Sequence, residues 1–271
     1  MAMKLKLIAG AGALVGMLAA GPVLAADIPA APVVKAPIKA AAYNWYGFYI
    51  GVHGGYGWGR GSVDLTPNGA TFATTGLPTS MASNAKGFIG GVQWGSNWQF
   101  NQIVLGTESD FSYTDIKSSQ TATAALGAAS LTESASQRLK WFGTTRVRGG
   151  VLVMENVLLY ATGGLASGSV ESSYNFSGTA CVGPCPTASA SKTLYGWAAG
   201  GGIEYGSGPW QFRVEYLHYD LGHLDYTVTS PFNPLVSFGA SAKVAGDIVR
   251  GGVSYRFNWT PLGLILGTDR L

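Results

Sequence analysis

From Trp45 to Phe257, apolar and polar positions alternate with a period of two in run after run. Trp210, Phe212, Val214 and Tyr216 fall on one face of such a run and Gln211, Arg213 and Glu215 on the other. Ile103, Leu105 and Phe111 oppose Glu108 and Asp110, and Val249, Val253, Tyr255 and Phe257 oppose Arg250, Ser254 and Arg256. A period of two is the signature of a β-strand with chemically distinct faces. Eight runs read this way, near 45–58, 84–98, 102–114, 138–153, 157–170, 191–206, 209–221 and 244–257. The fifth, VLLYATGGLASGSV, does not declare its phase.

The links between runs alternate in length. Short ones fall at 99–101, 154–156 and 207–208, and long ones, rich in Ser, Thr, Gly and Pro, at 59–83, 115–137, 171–190 and 222–243. That rhythm describes an all-β fold, an eight-stranded antiparallel up-and-down barrel. A soluble barrel or sandwich would turn its apolar faces inward and its polar faces to water. Composition favours the reverse orientation. Only 11% of the residues are charged, against roughly 25% in a typical soluble domain. Tyr, Trp and Phe crowd the apolar faces near the ends of the runs, as the interfacial girdles of a transmembrane barrel require. The short turns are then periplasmic and the four long loops extracellular.

The ends of the chain have a different character. Lys4 and Lys6 precede the apolar run Leu7–Ala20, Gly21-Pro22 follows, and small residues stand at Ala25 and Ala26. This is the layout of a cleaved secretory signal peptide over residues 1–26, too short in its apolar part to span a membrane. Residues 27–44, with Pro29, Pro32, Pro37 and Lys35, read as an extended Ala/Pro-rich periplasmic arm. The barrel occupies 45–257, and a short tail, NWTPLGLILGTDRL, occupies 258–271. Removal of the leader leaves fifteen basic and fourteen acidic residues. There is no basic stripe, so nucleic acid is not an expected partner.

Several segments carry a family resemblance: WYGFYIGVHGGYGWG (45–59), KGFIGGVQWGSNWQ (86–99), IVLGTESDFSY (103–113), WFGTTRVRGGV (141–151), LLYATGGLA (158–166) and GGVSYRF (251–257). In this order and spacing the chain resembles the OmpA-like β-barrel family of outer-membrane proteins, in the branch of alphaproteobacterial outer-membrane immunogenic proteins also labelled porin family proteins. The resemblance implies residence in the outer membrane, contact with its lipid and lipopolysaccharide, and delivery by periplasmic chaperones to the barrel-assembly machinery. Arg250, Gly252, Tyr255 and Phe257 resemble the last-strand signal that this machinery reads. The family usually stops at the terminal Phe, and here the tail follows.

The principal polar constellation is inward: Glu108, Asp110, Glu204 and Glu215 against Arg146, Arg148, Arg213, Arg250 and Arg256. An eight-stranded barrel is just wide enough inside for side chains to fill it. Charges held there must pair, and a structural ion-pair plug is the expected outcome. Cys181 and Cys185, in CVGPC, read as a disulfide within the third long loop. His218 and His223 with Asp220 and Asp225 form a small cluster near one rim, with His53 elsewhere. Their spacing completes neither a metal set nor a nucleophile–base pair.

The reading is therefore a monomeric, non-enzymatic surface-antigen barrel without cofactor or metal, its lumen plugged by charged side chains and its role structural. A narrow pore for ions or small solutes is the alternative, and an outer-membrane hydrolase a remote one.

Overall fold

Strands dominate the structure. The computed structural model describes residues 43–68, 78–181, 183–229 and 237–265. The expected signal peptide and nearly all of the expected arm lie outside the described residues. Eight antiparallel strands follow in order: β1 (Gly47–Asn68), β2 (Ser80–Phe100), β3 (Ile103–Leu126), β4 (Ala129–Met154), β5 (Val157–Ser177), β6 (Thr187–Ser207), β7 (Trp210–Thr229) and β8 (Ser237–Arg256). Each pairs with its sequence neighbour, and β8 returns to β1 to close the barrel. A short helix, α1 (Pro261–Ile265), follows.

The short connections are tight turns. Left-handed backbone at Asn101 (φ 55°) and Gly208 (φ 58°) serves two of them, a conformation that Asn and Gly adopt at least cost. At the other end the strands run well into the segments that their composition marks as loops. The eight strands are 20–26 residues long, whereas about 9–11 residues cross the hydrocarbon layer. The excess builds arms above the membrane. Thr121, Thr123, Thr132 and Ser134 point outward on those arms, while Ala122, Ala124 and Ala135 turn toward the core. The segment 115–137 is thus mostly a hairpin with a turn at Gly127 and Ala128, because small apolar and hydroxyl residues alternate as a strand requires.

Pairing between neighbours is not equally long everywhere. The β2–β3 register runs from Phe100↔Ile103 to Lys86↔Lys117, and β6–β7 from Ser207↔Trp210 to Trp197↔Asp220. Beyond those points the outer part of β2 pairs with β1, that of β3 with β4, that of β6 with β5, and that of β7 with β8. Among the described residues, two seams therefore divide the upper part into two four-stranded sheets, β7-β8-β1-β2 and β3-β4-β5-β6. Their inner faces meet in one apolar cluster that includes Val63, Met81, Leu224 and Ala240 from the first sheet and Ala135, Tyr174 and Phe176 from the second. Ser172 Oγ and Tyr226 Oη join the two at 3.0 Å.

The outward face of the closed part is apolar. Ile50, Val52, Leu105, Val147, Leu159, Ile203, Val214 and Val253 are all exposed. Aromatic residues flank this band: Tyr56, Trp58, Phe88, Tyr113, Tyr195 and Trp197 toward the arms, and Phe100, Tyr205, Trp210 and Tyr255 toward the turns. A soluble surface of this kind would aggregate, whereas a lipid bath requires it.

Candidate functional site

The inward face of the closed part carries the chain's densest chemistry. Glu108 and Asp110 project from β3, Arg146 and Arg148 from β4, Glu204 from β6, Arg213 and Glu215 from β7, and Arg250 from β8, each at most 4% exposed. Four carboxylates and four guanidiniums lie within one layer. Arg146 reaches Glu108 at 2.7 Å, Asp110 at 3.2 Å and Glu215 at 3.1 Å. Arg250 binds Glu215 at 2.7 Å and Asp110 at 3.1 Å. Arg148 lies 2.5 Å from Glu204 and 3.5 Å from Glu108. Arg213 contacts Glu108 and, at 3.3 Å, Glu204. Glu108 is the hub, within 4 Å of all four arginines.

This arrangement answers a physical demand. Removing an ion from water costs several kcal/mol even after relaxation, and only close, multiple pairing offsets it. Arginine meets the demand because its planar fork can serve two carboxylates at once. Formal charges in the layer sum to zero.

Neutral groups complete the set. The Tyr49 hydroxyl donates to Glu108 (2.6 Å) and that of Tyr160 to Glu215 (2.9 Å). The Arg148 guanidinium stands 4.1 Å from the centre of the Tyr160 ring, a cation–π contact. Thr144 donates to Asp110 and accepts from Arg146 Nε at 2.9 Å. His53 bridges the Gln93 amide at 3.1 Å and Ser112 Oγ at 2.8 Å. Glycine makes room for the largest of these side chains. A Cβ on Gly95 would lie 2.5 Å from the Tyr49 hydroxyl oxygen, and one on Gly202 would lie 2.8 Å from that of Tyr160. Tyr49, Tyr160, His53, Gln93 and Thr144 were not singled out for this network from sequence, although Tyr49 and His53 share the inward phase of β1.

Arg256 does not join the network. It sits at the last position of β8, where Nε donates to the Tyr43 hydroxyl (3.2 Å) and Nη1 to the Tyr46 carbonyl (3.0 Å) and Asn258 Oδ1 (2.7 Å). Strand phase points it inward, but its depth is that of the periplasmic mouth. Four arginines, not five, face the four acids. Tyr43, assigned by composition to the arm, is likewise buried in this mouth. It stacks edge-on to Trp45 at 4.7 Å, in a cluster with Val104, Leu158 and Tyr160.

Above the charged layer, the lumen is filled by Ile116, Phe142, Leu217, Leu221 and Ile248 among others. The interior is thus stacked as a mouth of packed aromatic and polar side chains, a charged belt and an apolar cap.

The rim histidines are separated. His218 Nδ1 pairs with Asp247 at 2.9 Å, whereas His223 lies past a bulge, opposite Lys243. Among the described residues, no group of three or more His, Cys, Asp or Glu is placed to hold a metal. Cys181 and Cys185 are joined in a disulfide with Cα atoms 5.4 Å apart. Of the last-strand residues, Arg250 is in the charged belt, and Gly252 opposes both His53 and Arg213. Tyr255 and Phe257 belong to an aromatic cluster with Phe48, Trp210 and Trp259. Main-chain bonds from Phe257 N to Phe48 O (2.7 Å) and from Phe48 N to Trp259 O (2.6 Å) extend the β1–β8 ladder into the tail.

A closed up-and-down barrel, apolar outside and ion-paired inside, is a transmembrane barrel of the bacterial outer membrane. The chain belongs to the outer membrane protein beta-barrel domain family, whose pattern it matches over residues 26–257. It is 36% identical over 223 residues to the 31 kDa outer-membrane immunogenic protein of Brucella melitensis, covering 79% of this chain and 85% of that one. It is 32% identical over 192 residues to the 22 kDa outer membrane protein of Rhizobium leguminosarum, covering 70% of each. Among solved structures it is similar to the outer membrane protein OprG from Pseudomonas aeruginosa, at 11% identity and a TM-score of 0.47, covering 78% of this chain and 96% of that one.

Proposed function

We propose that this protein is a non-conducting, non-enzymatic scaffold and surface antigen of the outer membrane, in contact with lipid and lipopolysaccharide. The observation that carries the reading is the three-layered lumen. A hydrated ion would have to displace the packed side chains of the mouth, then part a belt of Arg–carboxylate pairs, then displace the apolar cap. The apolar exterior anchors the barrel, and the long arms present surface to the surroundings. Relatives named as immunogenic proteins fit a chain whose exposed part is an antigen.

Leadership into the membrane is part of the same proposal. Residues 1–26 act as the cleaved export signal, residues 27–42 as the periplasmic arm, and Arg250, Gly252, Tyr255 and Phe257 as the segment read by the barrel-assembly machinery, to which periplasmic chaperones deliver the chain. Planar-bilayer recording of the purified, folded protein tests the function. The expected record is a flat baseline without stable steps. Large, steady conductance would replace the scaffold with the narrow-pore alternative.

A further inference from the structure

The outward faces of the two upper sheets differ in chemistry. On β3–β6, two adjacent cross-strand rows are set by the register. The lower is Lys117↔Arg138↔Glu171↔Ser191, and the upper is Ser119↔Ser136↔Ser173↔Ser189. Further out, Thr121 faces Ser134 and Thr123 faces Thr132, with hydroxyl oxygens 3.4 and 2.9 Å apart. The lower and upper four-residue rows line a groove of about 700 Å³. On the other sheet the described outward charges are mainly acidic, Asp64, Asp220, Asp225 and Asp247 against Lys86 and Lys243, with Asp220 3.8 Å from Lys243.

The cations on the β3–β6 side are placed at a cost. Lys117 on β3 stands directly opposite Arg138 on β4 and, at the seam, opposite Lys86 on β2 of the other sheet, and like charges so placed destabilise a sheet. Lys140 adds a fourth positive charge nearby. Asp115 contacts Lys117 at 3.1 Å and Arg138 at 3.5 Å, and Glu171 contacts Lys140. Two carboxylates thus face four cations. The side chains of these pairs are 41–64% exposed, so the pairing is weak and open to competition.

The order of chemistry along the strands identifies the competitor. Travelling outward, β3 presents Phe111 and Tyr113, then Asp115 and Lys117, then Ser119, Thr121 and Thr123. Outward along β4 come Trp141, then Lys140 and Arg138, then Ser136, Ser134 and Thr132. An aromatic girdle marks the level where acyl chains meet headgroups. A molecule lying along this face therefore carries acyl chains, then anionic groups, then a polyhydroxylated portion. We propose that the outward face of β3–β6 is a binding site for a phosphorylated glycolipid of the outer leaflet. Lys117, Arg138 and Lys140 take its phosphates, and the Ser/Thr rows take its sugars. The site rests on the proposed contact with lipopolysaccharide and is independent of whether the lumen conducts.

Full-length protein folded in nanodiscs tests this, with bound lipid counted by native mass spectrometry. Three bilayers are compared, containing lipopolysaccharide, the same glycolipid with its phosphates removed, or phosphatidylglycerol as a sugar-free anionic lipid. The wild type should retain phosphorylated glycolipid in preference to both others. The variant Lys117→Ala/Arg138→Ala should retain it roughly tenfold or more weakly, since it loses two of the three basic side chains assigned to the phosphates, while Lys243→Ala on the opposite sheet should match the wild type. Lys117 and Arg138 are exposed and Lys243 is half-buried, and heat-modifiable mobility verifies folding before lipid is counted. Equal retention by the double variant, or equal retention of the dephosphorylated glycolipid, would overturn the phosphate assignment and the proposal with it. Phosphatidylglycerol held as tightly as lipopolysaccharide would overturn the sugar assignment and leave a general anionic surface.

Discussion

Arg146 on β4 and Glu215 on β7 meet across the lumen at 3.1 Å, 69 residues apart in sequence. The same guanidinium holds Glu108 and Asp110 on the adjacent strand, so a single side chain ties opposite walls of the barrel together. Arg146→Ala leaves three buried carboxylates short of a partner. It should destabilise the folded barrel by about 3–5 kcal/mol, the cost of an uncompensated buried charge. Urea unfolding in detergent, followed by loss of heat-modifiable mobility, measures it. The charge-balanced double variant Arg146→Met/Glu215→Gln should be less damaging than the two single changes added together.

Phe257 stacks on Phe48 with ring centres 6.0 Å apart and contacts Tyr255 and Trp259 at 5.1 and 5.9 Å. With each aromatic pair worth about 0.5–1.5 kcal/mol, Phe257→Ala should cost roughly 2–4 kcal/mol. If the residue is also part of the assembly signal, the folded fraction in cell envelopes should fall further than refolding of the purified variant does. Equal losses in both settings would reduce its role to packing.

The Cys181–Cys185 bond closes a ring only four residues apart in sequence. Loop-closure entropy for so small a ring is worth no more than about 2 kcal/mol and acts on the tip of one hairpin. The double Ser variant should therefore keep the unfolding midpoint of the barrel nearly unchanged. In freshly isolated envelopes, neither cysteine should react with a maleimide until reductant is added.

Glu133 lies in the upper part of β4, beyond the membrane, fully buried and accepting from the Tyr174 hydroxyl. Burial raises its pKa above the ordinary carboxylate range, and the Tyr174 bond only partly opposes this. A carboxyl group raised in this way contributes its full stability when protonated, below the unfolded-state pKa. That stability is lost as pH rises through the folded-state value. Amide exchange in the upper part of the β4–β5 strand pair should be slower in acid than expected from chemistry alone. Glu133→Gln should slow it at neutral pH, by an amount of order 1 kcal/mol, and have no effect at low pH.

Most of the barrel is legible in the alternation of the chain, because lipid outside and a narrow lumen inside impose opposite demands on successive residues. Depth is less legible. A period of two tells which face Arg256 occupies but not that it lies at the mouth, where it serves Tyr43 and the Tyr46 carbonyl. The phase of β5 is hidden by Gly163 and Gly164, and the structure resolves it with Leu158 and Tyr160 inward and Leu159 and Leu165 outward. The apolar cap escapes a simple reading because bulges between Leu139 and Trp141, and between Asp220 and His223, reset the phase within the runs that build it. The upper sheets were hidden by composition, since Ser- and Thr-rich segments look like loops until the alternating alanines are paired with their neighbours.

The balance of four carboxylates against four guanidiniums has a further consequence for a protein that faces a changing exterior. Mobile ions weaken interactions between charges they can surround, over a screening length of about 10 Å at 0.1 M salt. They cannot enter a belt closed off by packed side chains on both sides. The transverse ties of the barrel should therefore hold as firmly in dilute water as in brine, while contacts on its outward cationic face loosen as salt rises. One chain would then combine a frame insensitive to ionic strength with a surface that responds to it.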